Sequence, residues 1–102
     1  MNLASNRLMQ FKFQLYVAGD AQNSVQAIAN LNTLCRTHLR DQYEIEIVDV
    51  FREPRRALAE GIFMTPTLVK LAPPPIRRIV GSLSQTHVVL QALGLDLEAV
   101  AA

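Results

Sequence analysis

Nine carboxylates, ten lysine and arginine side chains, two histidines and one cysteine are the groups in these 102 residues that could carry chemistry. A thiolate is the strongest nucleophile and the softest metal ligand among them. Cys35 stands alone, so no internal disulfide can form, and a reducing cytoplasm is the expected setting. Val25, Ile28, Leu31, Leu34 and Leu39 recur around it at helical spacing, which puts the thiol on or beside an apolar stripe. That position predicts a buried structural cysteine, because reactive thiols need an exposed, electropositive setting. His38 and His87 are far apart with no Cys/His cluster beside either, so no metal site is expected. His38 fits instead as a helix-end residue complementing the dipole. No Walker A run and no Gly-x-Gly-x-x-Gly occurs, and nothing in the context of the serines marks a catalytic triad. The expectation is a protein without cofactor and without catalysis.

Arginine is the feature left over. Arg52, Arg55 and Arg56 flank a short helical stretch, while Lys70, Arg77 and Arg78 bracket Pro73-Pro74-Pro75. Any one of these fits a solvated rim. As a set, Lys70, Arg77 and Arg78 fit an acidic protein partner gripped by charge-assisted forks. Arg77 and Arg78 are adjacent on a predicted strand, so they face opposite sides of it. The net charge of +1 argues neither for nor against nucleic acid, and without tryptophan and with few aromatics to expose, a stacking platform for single strands is not expected. No run of about 18 apolar residues occurs, so no membrane-spanning helix is predicted. Half the residues are hydrophobic, enough to build a core without disulfides or metal.

The elements that must position these groups follow from periodicity. A flexible arm is expected at residues 1–9, within a single domain of residues 1–102. Phe11, Phe13, Leu15 and Val17 alternate, predicting a strand. A loop with Gly19 follows, then a helix capped by Asn23 or Ser24. Tyr43 to Val50 predicts a second strand, nearly continuous in apolar residues at its end, as suits an interior parallel strand. Pro54 opens a short helix with Ala57 and Leu58 inward and Gly61 at its end. The stretch from Phe63 to Lys70 has strand composition, but Pro66 cannot donate to a ladder, so the strand proper is expected from Thr67 to Leu71. Ile76 to Gly81 predicts a fourth strand antiparallel to it. Ser82 or Ser84 is expected to cap a last helix with Val88, Val89, Ala92 and Leu93 inward; Gly94 frays or ends it, and Asp96 to Ala102 is a weakly amphipathic extension.

The order β-α-β-α-β-β-α, with Thr65-Pro66 ahead of the third strand, resembles the thioredoxin superfamily and its cis-proline loop. The loop that holds the reactive cysteine in those oxidoreductases is here Gly19 to Ser24 and contains no sulfur, so thiol–disulfide exchange has no nucleophile. Five blocks in register narrow the resemblance: Leu15-Tyr16-Val17-Ala18-Gly19, Asn23-Ser24-Val25, Val48-Asp49-Val50, Thr65-Pro66-Thr67-Leu68, and Pro75 through Ser84. Together they resemble the circadian-clock KaiB family.

That resemblance implies a non-enzymatic regulator that binds a KaiC-type ATPase in circadian, timing or stress signalling. It also implies two accessible folds. One is the thioredoxin-like form with Pro66 as its structural cis-proline, monomeric and competent to bind the ATPase. The alternative is a tetrameric topology with a rearranged C-terminal half. Ala92, aligned with a glycine of the clock proteins, favours the helical, thioredoxin-like monomer, since Ala is about 1 kcal/mol better than Gly inside a helix. Gln26, Glu46 and Gly61 replace basic residues of the family pattern, which weighs against a contact with the activator KaiA and weakens the contact with KaiC. A thioredoxin-like adaptor with a different signalling partner is the alternative function.

Overall fold

Phe11, Phe13, Leu15 and Val17 form one face of β1 (Phe11–Val17), and every one of them is buried. The computed structural model of the chain describes residues 10–95; the expected arm at residues 1–9 and the expected extension from Asp96 to Ala102 lie outside them. Around β1 the order continues as α1 (Gln22–His38), β2 (Tyr43–Asp49), α2 (Pro54–Ala59), β3 (Thr67–Ala72), β4 (Arg77–Val80) and α3 (Thr86–Ala92). The thioredoxin-like element order expected from the sequence is the one observed. The strands lie in the order β2-β1-β3-β4, with β2 parallel to β1 and both β3 against β1 and β4 against β3 antiparallel.

The sheet separates two cores. On one face, Phe13, Leu15 and Leu68 meet Leu31, Leu34 and Cys35 of α1 and Val89, Leu90 and Leu93 at α3. On the other, Tyr16, Val48 and Val69 meet Ala57 of α2 and Ile62 just after it. This is what period-two strands demand when helices cover both sides. Each fully buried Leu or Phe contributes roughly 1.5–3 kcal/mol of transfer free energy.

Several local expectations are corrected. β2 is parallel to β1 but forms a sheet edge, not an interior strand, and Ile47 is half exposed there. Helix α1 begins at Gln22, ahead of Asn23 and Ser24, with no side-chain cap. Ser24 is buried within the first turn, where its Oγ accepts the Ala18 N–H at 3.0 Å and so satisfies a loop donor. The buried stripe therefore runs Ser24, Ala27, Leu31, Leu34 and Cys35, and Val25 points outward. In α2 only Ala57 is buried; a six-residue helix has little more than one turn to offer the sheet, and Leu58 is left exposed. Helix α3 starts at Thr86 without a cap from Ser82 or Ser84. Ser82 instead offers its carbonyl to the Asn30 side chain at 2.8 Å, tying α1 to the β4–α3 connection. Val88 is exposed, while Val89, Leu90 and Leu93 face inward. Gly94, at φ +77°, ends the helix in the left-handed conformation that favours glycine.

Cys35 is fully buried, and burial pushes its thiol up to about 12. The unfolded thiol ionises near its ordinary value of 9.0, so the folded state holds the proton more tightly. Its contribution is intact below that value and declines as pH rises toward the folded one. Relative to Cys35→Ala, the native chain should lose about 1 kcal/mol of stability between roughly pH 8 and pH 10. Urea unfolding of the two proteins across that range checks this; parallel pH profiles would contradict it.

Candidate functional site

Strand β4 sorts the expected basic cluster onto two faces. Lys70 pairs across β3–β4 with Arg77, and Val69 pairs with Arg78. Directly opposed residues share a face and neighbours alternate. Lys70 and Arg77 therefore lie on the α1/α3 side, while Arg78 lies on the α2 side. The structure does not bring the three together as one patch. Lys70 is also not a surface charge: it is 4% exposed, and its Nζ donates to the Leu93 carbonyl at 3.0 Å, closing the C-terminal end of α3. Burial is the main cause holding its ammonium below the usual lysine range, with the Arg77 charge adding to it. The sequence presents Lys70 as a contact residue; in the fold it is a strut.

Arg78 organises the other face. Gly61, at φ +70°, ends α2, and the Arg78 guanidinium donates to the exposed carbonyls of Glu60 and Gly61. Beyond this clamp the chain turns through Phe63 and Met64 into a buried Pro66. Thr67 Oγ1 donates to the Met64 carbonyl at 2.6 Å, and the Gly81 N–H donates to the Pro66 carbonyl at 2.9 Å. The Thr65–Pro66 bond is cis, as the thioredoxin-like reading expects; Ala72–Pro73 and Pro74–Pro75 are also cis. The backbone is pinned on both sides, yet Phe63 is 87% exposed and Met64 63%. Leu58 and Val80 are exposed too, and a shallow cavity of about 150 Å³ runs between Phe63, Met64, Arg78 and Val80. Large apolar side chains held out on a fixed backbone, rimmed by a guanidinium, are suited to docking a protein surface. The signal was in the sequence: two large apolar residues one threonine ahead of the proline, read there as strand composition rather than as display.

The loop where a thiol would act is sealed instead. Asp49 Oδ1 accepts N–H groups of Gly19 at 3.2 Å and Phe51 at 2.9 Å. Gly19, at φ +55°, lies against the Phe51 ring, 3.4 Å from where a Cβ would sit. Cys35 lies in the core well along α1. Of the altered family positions, Gln26 is exposed on α1, Gly61 sits under the Arg78 clamp, and Glu46 pairs with Arg56 while accepting the Gln14 amide at 3.1 Å. The hydrogen bond from Arg56 is the first cause keeping the Glu46 carboxyl below its usual range. Among the described residues no helix is long and apolar enough to cross a membrane.

Comparison with known proteins narrows what such a surface serves. A family model described as the KaiB domain matches residues 14–95. The circadian clock protein KaiB3 of Synechocystis sp. is 50% identical over 84 residues, covering 82% of this chain and 80% of that one. The circadian clock oscillator protein KaiB of Thermostichus vulcanus is 42% identical over 87 residues, covering 85% and 79%. Among solved structures, the N-terminal domain of SasA from Synechococcus elongatus superposes with a TM-score of 0.71 at 15% identity, over 88% of this chain and 86% of that one. Fasciola hepatica thioredoxin does so with a TM-score of 0.67, also at 15% identity, over 91% and 88%. At such identities the solved structures speak to the fold alone, which is thioredoxin-like.

Proposed function

This chain belongs to the KaiB family, and from that premise we propose that it is a non-enzymatic timing regulator that binds a KaiC-type ATPase through its α2–β3 face. Phe63 and Met64 are the apolar anchors and Arg78 is the charged contact. The observation that carries the reading is the fixed display of Phe63 and Met64 beside Arg78, in the half of the chain that the family resemblance assigns to ATPase recognition. Lys70 and Arg77, on the opposite face, have no direct part in this contact. The thioredoxin-like arrangement is the one the resemblance couples to binding, so the working form is a monomer, and its compartment is the cytoplasm. Glu46 is already engaged by Arg56, which supports a weakened contact with KaiA-type activators.

Calorimetric titration of the full chain into a purified KaiC-type ATPase tests this. Binding is expected, and Arg78→Ala should weaken it by about tenfold, as for an interfacial charge-assisted contact. Arg78→Lys keeps the charge but not the fork and should fall between. No measurable binding at low salt would refute the reading and favour an adaptor with a different partner. Binding that ignores Arg78 would overturn its role as the charged contact.

A further inference from the structure

The face that the ATPase contact leaves unused carries a groove of about 620 Å³, between the start of β1, the end of α1, the three prolines and the end of α3. We propose that this groove binds a small amphiphilic anion, its carboxylate or equivalent oxyanion held by Lys70, Arg77 and Arg40 and its apolar body laid over Phe11, Leu39 and the three prolines. The volume falls within the range of about 300–1,000 Å³ typical of small-molecule sites. Its floor is apolar, and its charged lining is one-signed: Lys70, Arg77 and Arg40 line it, with His38 and Gln42 beside them, and no Asp or Glu among the described residues does.

The charge arrangement is what asks for a ligand. Lys70 and Arg77 are directly opposed across β3–β4, a placement that destabilises a sheet when the charges are alike. Among the described residues no carboxylate lies within salt-bridge distance of either, or of Arg40; the ion pairs there involve Arg52 and Arg56. Lys70 is almost wholly buried, and of its three N–H donors one is engaged, by the Leu93 carbonyl. A buried ammonium with donors left over, beside a second cation and an apolar floor, is complementary to an oxyanion on a hydrocarbon body. Burial and the Arg77 charge both work against the Lys70 ammonium, and a bound anion would relieve both. Arg40 reaches the rim from a left-handed backbone, φ +53°, where glycine would be the easier residue.

Decanoate is a suitable probe, with decanol as its neutral counterpart and decyltrimethylammonium as its cationic one. Each is titrated into the full chain below micelle formation and followed by amide chemical shifts. Decanoate should bind saturably and about tenfold or more tighter than either counterpart, consistent with a charge-assisted head contact. The shifts should centre on Phe11, Leu39, Arg77 and Leu93. Arg77→Gln and Arg40→Gly should each weaken decanoate several-fold; the latter relieves the left-handed backbone, so loss of fold does not confuse the result. Phe63→Ser, on the opposite face, should leave decanoate binding unchanged. Equal affinity for decanol, indifference to both arginine variants, or shifts centred on Phe63 and Met64 would each overturn the proposal, as would no binding of decanoate.

Discussion

Phe63→Ser combined with Met64→Ser is expected to weaken binding to the KaiC-type ATPase by at least about 100-fold, while the chain stays folded, because two buried apolar anchors at an interface commonly carry 2 kcal/mol or more each. The free molecule gains little from these side chains. At 87% and 63% exposure they have scarcely any core contact to lose, so stability should change by no more than about 0.5 kcal/mol. The backbone that presents them is held by other groups: the Thr67 hydroxyl, the Pro66 carbonyl and the Arg78 clamp on Glu60 and Gly61. Titration calorimetry gives the affinity, and a thermal melt followed by circular dichroism gives the fold. Val88→Ser removes a comparably exposed apolar side chain from α3 and should leave affinity unchanged. If the double variant binds within threefold of the native chain, the docking face lies elsewhere on the molecule.

The elements were legible where periodicity was clean. Phe11 to Val17 could be only a strand, and the helical recurrence through Leu31 and Leu34 predicted both α1 and the burial of Cys35. Pro66 could be located at a strand entrance because proline cannot donate to a ladder. Depth was not legible. Val25 and Leu58 satisfy the apolar pattern yet face outward, because helix rotation is set by which residues fit closest to the sheet, here Ser24, Ala27 and Ala57. A short helix also buries less than its composition suggests. Nor did strand composition reveal that β2 would lie at the edge, since edge position depends on pairings made far away in the chain. The basic cluster was half legible for a related reason. Strand alternation already set Arg77 and Arg78 on opposite sides, but which of them shares a face with Lys70 depends on cross-strand register, and that pairs Lys70 with Arg77. Phe63 and Met64 went unread because display and burial share one composition, and only the solvent on their outer side tells them apart.

Lys70 is where the two ways of reading the chain make opposite predictions. As a partner contact, it would matter for affinity and hardly for stability. As the strut between β3 and the end of α3, the reverse holds. Lys70→Ala removes the bond to the Leu93 carbonyl and the packed stem together, and should destabilise the chain by about 2–4 kcal/mol. Lys70→Met keeps the stem, gives up the bond, and removes a charge that burial and Arg77 both disfavour. Those effects offset, so its stability should lie within about 1 kcal/mol of the native chain, and its ATPase affinity within threefold, at neutral pH. The pH dependence separates them further. The folded ammonium gives up its proton more readily than the unfolded one. Protonation therefore favours the unfolded state, and the Lys70 contribution to stability improves as pH rises through the folded value toward the ordinary lysine range. Lys70→Met lacks that rise, so its stability relative to the native chain should fall steadily on the alkaline side. Urea unfolding of both proteins over that range measures the difference directly. A folded Lys70→Met that loses tenfold or more in ATPase affinity would return this residue to the contact surface and make the buried strut a secondary role.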